Sequence, residues 1–114
     1  MNKQEIKSDV LERLFETIKC RHGDSPDASY TAKLFSKGRG EIARKLGEEA
    51  METIVAALDE GDDQVIRESA DLLYHLLVLW ADTGVEPFHV WEELVRREGT
   101  SGLDEKGARK KNYS

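Results

Sequence analysis

The fold is decided by two neighbouring stretches, residues 40–60, GEIARKLGEEAMETIVAALDE, and residues 64–81, QVIRESADLLYHLLVLWA. The first stretch carries apolar side chains at four-residue intervals, at Ile42, Leu46, Ala50, Ile54 and Leu58. In the second stretch, Leu72 to Trp80 is apolar almost all round, which is typical of a helix buried in a core or a subunit interface. The two patterns predict two long neighbouring helices.

Turn and cap residues separate these helices from each other and from the next one. Gly61 is expected to end the first long helix, and Asp62 or Asp63 to cap the second. Gly84 is expected to end the second, and Pro87 lies near the first position of a last helix. Phe88, Trp91 and Val95 line one face of that last segment.

Two shorter segments in the N-terminal part also have helical periodicity. Apolar residues recur at three- to five-residue intervals over 6–18, and 30–35 reads as a short helix that ends before Gly38. Residues 21–29 between them hold turn and cap residues and predict a loop. Because no alternation typical of strands occurs, the chain is predicted to be an all-α bundle of four or five helices.

Length and composition limit the classes of protein that fit. The chain of 114 residues has room for one domain, 1–114, with a core at about 6–97 and an extended tail at 98–114. A net charge of −6 argues against a basic footprint for nucleic acid. The single cysteine, the lack of an apolar signal segment and the short longest apolar run, Leu76 to Ala81, predict a soluble, cytoplasmic protein with no membrane contact.

Four acids form two pairs, one on each predicted long helix, and the members of each pair are three residues apart. Glu49 and Glu52 share one helix face, as do Glu68 and Asp71 on the next helix, and Glu49 falls within the apolar stripe instead of opposite it. Two like charges 4 Å apart repel by about 4 kcal/mol at an effective dielectric near 20, so carboxylates gathered among aliphatic side chains need protons or a cation. Oxygen ligands without paired cysteines or histidines favour Mg²⁺, with Mn²⁺ as a possible substitute.

The predicted cation indicates phosphate chemistry, because Mg²⁺ in proteins commonly joins one or two carboxylates to substrate phosphates. It can neutralise charge on a leaving phosphate while a spare carboxylate orients and deprotonates the attacking water. Glu48 lies next to Glu49 and nearer to Glu52 on the helix surface. Three roles stay open for Glu48: the base, a metal ligand or a surface acid.

Positive charge for a phosphate-rich substrate must come from the basic residues near these helices, namely Lys33, Lys37, Arg39, Arg44 and Lys45. The best local candidate is Lys37-Gly38-Arg39-Gly40, because glycines let the backbone approach phosphates before a helix N-terminus. A flexible turn with solvated charges explains the same four residues equally well. His75 follows Asp71 by four residues and either touches the site or is a core histidine with a satisfied hydrogen bond, the second being favoured.

Three ordered motifs resemble the phosphoribosyl-ATP pyrophosphohydrolase family within the MazG-type nucleotide pyrophosphohydrolases. They are Ser29-Tyr30-Thr31, Lys45-Leu46-Gly47-Glu48-Glu49-Ala50-Met51-Glu52, and Glu68-Ser69-Ala70-Asp71-Leu72-Leu73-Tyr74-His75-Leu76-Leu77-Val78. The acidic blocks alone match the E-E-x-x-E and E-x-x-D signature of the broader MazG-type group. Residues 29–38, the pair Tyr74-His75 and residues 101–106 narrow the resemblance to the histidine-pathway family, over about residues 10–108.

The resemblance implies a fold, a reaction and roles for residues. It implies Mg²⁺-dependent hydrolysis of phosphoribosyl-ATP to phosphoribosyl-AMP and pyrophosphate, the second step of histidine biosynthesis, by a homodimer whose helices together build the sites. By position, the metal ligands are Glu49, Glu52, Glu68 and Asp71. Glu48, Glu49 and Glu52 are the catalytic candidates, and Lys37, Lys45, Tyr30 and His75 are the candidate substrate contacts.

Three other interpretations of the sequence compete with this one. A house-cleaning pyrophosphohydrolase of the MazG type would have the same metal site and a different base pocket. A di-iron bundle needs Glu-x-x-His on two helices, but here that spacing occurs at Glu86 and His89, astride Pro87. A non-enzymatic interaction module would explain the apolar Leu72 to Trp80 but not Glu49 on an apolar face.

Overall fold

The computed structural model of the protein describes residues 9–99, and every regular element in that range is helical. The α-helices are α1 (Val10–Cys20), α2 (Tyr30–Lys37), α3 (Arg39–Val55), α4 (Asp62–Thr83) and α5 (Pro87–Arg97), and a π-helical turn, Ala56–Glu60, extends α3. The all-α prediction is thus confirmed for the described residues. The predictions for residues 1–8 and 100–114, including the start of the first helix at Ile6 and most of the tail, lie outside them.

The two long helices form the centre of the bundle. α3 packs chiefly against α4, α1 packs on α4, and α2 contacts both α3 and α4. The buried core side chains come from α1 to α4, and they are Phe15, Ile18, Leu34, Phe35, Ile42, Leu77 and Val78. No helix among residues 9–99 is both long and apolar enough to cross a bilayer.

Glycines with positive φ end the helices where the sequence predicts breaks. Gly38, at φ 94°, lies between α2 and α3, so the chain turns sharply there without a loop. Gly61, at φ 110°, closes the π-helical turn through a hydrogen bond from its N–H to the Ala56 carbonyl, and α4 begins at the next residue. The prediction that Asp62 or Asp63 is an N-cap is therefore wrong: both aspartates lie in the first turn of α4, with no side-chain cap.

The apolar stripe predicted for α3 is only partly correct. Ile42 is fully buried, whereas Ile54 and Leu58 are 53% and 77% exposed. Residues spaced four apart drift by about 40° per step on a helix with 3.6 residues per turn, so the four steps from Ile42 to Leu58 rotate by about 160°. The C-terminal half of the stripe therefore points away from the core of the chain.

The burial predicted for Leu72 to Trp80, in a core or a subunit interface, is incomplete within one chain. His75, Leu77 and Val78 are buried, but Leu73 is 42% exposed. Leu73 lies on the same face of α4 as the exposed Ile66 and Ala70, because these residues are three to four positions apart. One apolar face of α4 is therefore uncovered.

Candidate functional site

The packing of α3 against α4 brings the predicted acids together. Glu49 on α3 and Glu68 and Asp71 on α4 each offer a carboxylate oxygen, and these oxygens lie within 4.8 Å of one another. Glu52, one turn beyond Glu49, interacts through its carboxyl group with both Glu68 and Glu49. The structure therefore gathers all four acids of the two short spacings, and we call them the acid cluster.

Two oxygens of the acid cluster are buried without a hydrogen-bond partner. They are Oε2 of Glu49 and Oε2 of Glu68. A buried acceptor without a partner costs about 1–3 kcal/mol, and more when it is charged. A cation between α3 and α4 would satisfy both oxygens at once, and a set of carboxylate oxygens suits a hard divalent ion. The residues present fit a metal site of the predicted kind.

The protonation behaviour of Glu52 reflects this crowding. Its pKa is raised to about 6, first by a hydrogen bond with Glu68, then by the charge of Glu49 and by burial. A protonated Glu52 can donate a hydrogen bond to the Glu68 carboxylate, whereas an ionised Glu52 only adds repulsion. The proton on Glu52 thus serves the same purpose as a cation.

Gln64 orients one member of the acid cluster and was missed from the sequence. Its amide Nε2 donates a hydrogen bond of 2.9 Å to Oε1 of Glu68, while its Oε1 accepts one of 3.2 Å from Arg67. These two bonds fix which amide atom faces Glu68. The i, i+4 spacing of Gln64 and Glu68 is the signal that could have found the contact.

An open cavity of about 430 Å³ adjoins the acid cluster. Acidic and apolar side chains line it together, and they are Glu48, Met51, Glu52, Val55, Glu60 and Glu68. Glu48 lies at its rim, in ion pairs with Arg44 and with Lys45, whose Nζ is 3.3 Å from Oε2 of Glu48. Glu48 is therefore neutralised by local cations, unlike the acids that face one another across α3 and α4.

A hydrogen-bonded chain joins the acid cluster to α2. His75 is 6% exposed, its Nδ1 lies 2.8 Å from the Asp71 carbonyl, and its Nε2 lies 3.0 Å from the Tyr30 hydroxyl. Their chain neighbours on the two helices, Thr31 through its Oγ1 and Tyr74 through its hydroxyl, are also hydrogen-bonded to each other. Both ring nitrogens of His75 are thus engaged within the protein, as expected for a core histidine.

The basic residues considered for phosphate binding differ in which acidic side chains already hold them. Arg39 is held by Asp82, with Nε 2.7 Å from Oδ2, and Arg44 is shared by Glu41 and Glu48. Lys37 is exposed at the end of α2, where its charge acts on Glu41. Lys45 contacts residues beside the acid cluster: its ammonium bonds Glu48, the neighbour of Glu49, and its charge acts on Tyr30.

The spacing that could have indicated a di-iron site has a structural role. Glu86 is the N-cap of α5, and its backbone N–H donates to Nδ1 of His89 at 3.0 Å. The Glu86 carboxylate pairs with Lys19 at 2.9 Å. Neither residue belongs to the acid cluster, so the structure gives no support to the di-iron interpretation.

An all-α bundle with acids paired at three-residue spacing on two adjacent helices is the architecture of the MazG-like nucleotide pyrophosphohydrolases. Within that class, the profile of the phosphoribosyl-ATP pyrophosphohydrolase family matches residues 11–98. The chain belongs to the phosphoribosyl-ATP pyrophosphohydrolase family.

Curated relatives agree with the family match along nearly the whole chain. The chain is 65% identical to a phosphoribosyl-ATP pyrophosphatase of Paramagnetospirillum magneticum, over 91% of this chain and 95% of the relative. It is 54% identical to the enzyme of the same name from Azospirillum brasilense, over 96% and 99% of the two chains. A third, from Rhodospirillum rubrum, is 60% identical over 90% of this chain and 88% of its own length.

Proposed function

We propose that this protein hydrolyses phosphoribosyl-ATP to phosphoribosyl-AMP and pyrophosphate, in the second step of histidine biosynthesis. The observation that carries the proposal is the acid cluster in a chain of this family, beside a cavity that is open to a substrate. A cytoplasmic location remains a prediction from the sequence.

The metal of the proposed site is Mg²⁺, held by Glu49, Glu68 and Asp71. The support is the close approach of their oxygens and the two buried oxygens that lack partners. Bound there, Mg²⁺ would supply the positive charge that a polyphosphate needs in order to approach an acidic centre. Gln64 would keep Glu68 in place, since its amide already holds the other oxygen of that carboxylate.

Glu52 is the proposed base. It is the more exposed member of the α3 acid pair, lines the cavity and has a pKa of about 6 without metal. A carboxylate that lines the cavity, outside the three proposed metal ligands, can reach an attacking water and take its proton in the transition state. Glu48 is less suited to this role, because Arg44 pairs with its Oε1.

Lys45 and Lys37 are the proposed cationic contacts to phosphate. Lys45 lies between Glu48 and Tyr30 at the edge of the acid cluster, so a small rotation of its side chain would turn the ammonium from Glu48 to a phosphate oxygen. Lys37 stands further off, near Glu41 and beside the break at Gly38. It is therefore assigned to the outer end of the substrate.

We also propose that the active form is a homodimer. The face of α4 that carries Ile66, Ala70 and Leu73 is uncovered, and so are four apolar side chains at the end of α3, namely Met51, Ile54, Val55 and Leu58. Contiguous exposed apolar surface of this kind marks an interaction site. Because Met51 and Val55 also line the cavity, a second chain on this face would close the cavity from the open side.

The reaction is tested by following phosphoribosyl-ATP with Mg²⁺ and separating the products. Phosphoribosyl-AMP and pyrophosphate in equal amounts are expected, with no turnover in excess chelator and recovery when Mg²⁺ or Mn²⁺ is restored. Release of inorganic phosphate in place of pyrophosphate would contradict the proposed reaction, and full activity without a divalent ion would contradict the metal site.

A further inference from the structure

With His75 as a neutral imidazole, its two hydrogen bonds determine the direction of the hydroxyl proton of Tyr30. A backbone carbonyl can only accept, so the contact of 2.8 Å between Nδ1 of His75 and the Asp71 carbonyl requires a proton on Nδ1. In a neutral imidazole the other nitrogen, Nε2, then carries a lone pair. At 3.0 Å from Nε2, the Tyr30 hydroxyl must donate to it.

The hydroxyl oxygen of Tyr30, whose proton goes to His75, can consequently only accept further hydrogen bonds. Its residue is 52% exposed, and the negative charges of Glu49 and Asp71 both act on its hydroxyl. Burial of the ring raises the pKa of Tyr30 more than the positive charge of Lys45 lowers it, so the hydroxyl keeps its proton. A hydroxyl oxygen that can only accept offers no hydrogen to a phosphate oxygen and instead binds an O–H or N–H group.

We infer that Tyr30 binds a donor group on the nucleoside or phosphoribosyl part of the substrate, a sugar hydroxyl or a base N–H, and that His75 is a positioning residue that fixes this polarity. The inference rests on the proposed function, because it takes the nucleotide to be bound with its phosphates at the acid cluster. It gives Tyr30 a different part of the ligand from the lysines: Tyr30 contacts the part that is not phosphate.

The chain supplies a matched control in Tyr74. Its hydroxyl pairs with Thr31, so Tyr74→Phe removes a hydrogen bond between the same two helices, α2 and α4, as Tyr30→Phe does. Tyr74→Phe leaves the Tyr30 hydroxyl and its partner His75 in place. A purely structural effect of loosening α2 should therefore appear in both variants.

The binding test uses the two products as probes, measured by calorimetry with Mg²⁺ at about pH 8. Pyrophosphate has phosphate oxygens only, whereas phosphoribosyl-AMP also carries hydroxyl and amino donors. In Tyr30→Phe we expect the Kd of phosphoribosyl-AMP to rise by about three- to tenfold, the value of one neutral hydrogen bond, with the Kd of pyrophosphate unchanged. Tyr74→Phe should leave both constants unchanged. A weaker pyrophosphate affinity in Tyr30→Phe, or equal effects of the two variants, would overturn the inference.

The direction of the hydrogen bond between Tyr30 and His75 is tested separately in the wild-type protein, so the result does not depend on whether a variant folds. Long-range ¹H–¹⁵N spectra at the same pH should show the ring of His75 protonated at Nδ1 and bare at Nε2. A proton on Nε2 would overturn the assignment. His75→Gln, whose amide can both donate and accept, should keep the phosphoribosyl-AMP affinity better than His75→Phe does. If wild type does not hydrolyse phosphoribosyl-ATP, the proposed function fails; if it does and these outcomes are absent, only the inference fails.

Discussion

Glu49 and Glu68, on two different helices, each bury one carboxylate oxygen that has no hydrogen-bond partner. The two residues lie 19 positions apart in the chain, and the antiparallel contact of α3 with α4 brings their oxygens within 4.8 Å. A protein without a ligand for these oxygens would be more stable if either acid were neutral. The arrangement therefore favours the proposed metal site, since it lowers the stability of a fold without a cation.

The first prediction concerns the substitution Glu49→Gln. It should lower the hydrolysis rate by at least about a hundredfold, because a ligand of the metal that neutralises the phosphates is lost. The metal-free variant should melt at a higher temperature than metal-free wild type, because a repelled buried charge is removed. Melting curves with and without Mg²⁺ test this, with Glu16→Gln, an exposed acid on α1, as the control that should change neither property. Near-normal turnover in Glu49→Gln would show that Glu49 is not a ligand.

A second prediction follows from the contact between Gln64 and Glu68. Gln64→Leu frees the Glu68 carboxylate to rotate, and loss of such an orienting partner typically lowers metal affinity by about 10–100-fold. Mn²⁺ binding measured by electron paramagnetic resonance checks the loss, and Asp63→Asn, an exposed neighbour, is the control. Unchanged Mn²⁺ affinity in Gln64→Leu would mean that the hydrogen bond has no positioning role.

The third prediction is a pH dependence of stability that belongs to Glu52. Its pKa is raised from 4.5 to about 6 in the folded protein, so folding favours the protonated form. The stability that protonated Glu52 contributes to the folded protein is fully present below pH 4.5 and is lost as the pH rises through about 6. In excess chelator, the Tm of wild type should therefore fall relative to that of Glu52→Gln, which mimics the protonated acid, between about pH 4.5 and about pH 6.5. Parallel curves for the two proteins would contradict the raised pKa. Saturating Mg²⁺ should reduce the difference, because the cation replaces the proton.

The fourth prediction concerns assembly. Leu58 is 77% exposed on the uncovered apolar face, so Leu58→Glu should convert the proposed dimer into a monomer. Leu94, 53% exposed on α5, is the matched control, and Leu94→Glu should leave the dimer intact. Light scattering at micromolar concentration distinguishes the two outcomes. A wild-type protein that is already monomeric and fully active would refute the dimer.

The positions of the acids could be predicted from the sequence because they depend on helix geometry alone. Steps of 100° per residue put Glu49 close to Ile42 and Ala56, and in the structure Ile42 and Ala56 are fully buried while Glu49 is half-buried. A four-residue spacing alone gave the wrong environment for Ile54 and Leu58. Each four-residue step rotates the side chain by about 40°, so residues late in the series no longer face the core.

The remaining parts of the site depend on packing between elements far apart in the chain. The hydrogen bond between Tyr30 and His75 joins positions 45 residues apart, and it exists only because α2 folds back onto α4 after the turn at Gly38. No local pattern specifies such a contact. Likewise, no local pattern predicts the pairing of Arg39 with Asp82 near the C-terminal end of α4.

The most direct test of the account is the ratio of kcat/KM for phosphoribosyl-ATP to that for ATP and for deoxynucleoside triphosphates, at one Mg²⁺ concentration. The acid cluster alone would serve any nucleoside triphosphate, so a preference must come from contacts to the added phosphoribosyl group. We expect phosphoribosyl-ATP to be preferred by at least about a hundredfold, a difference of about 2.7 kcal/mol in transition-state binding. Comparable values for all three substrates would contradict the account and indicate a house-cleaning pyrophosphohydrolase instead.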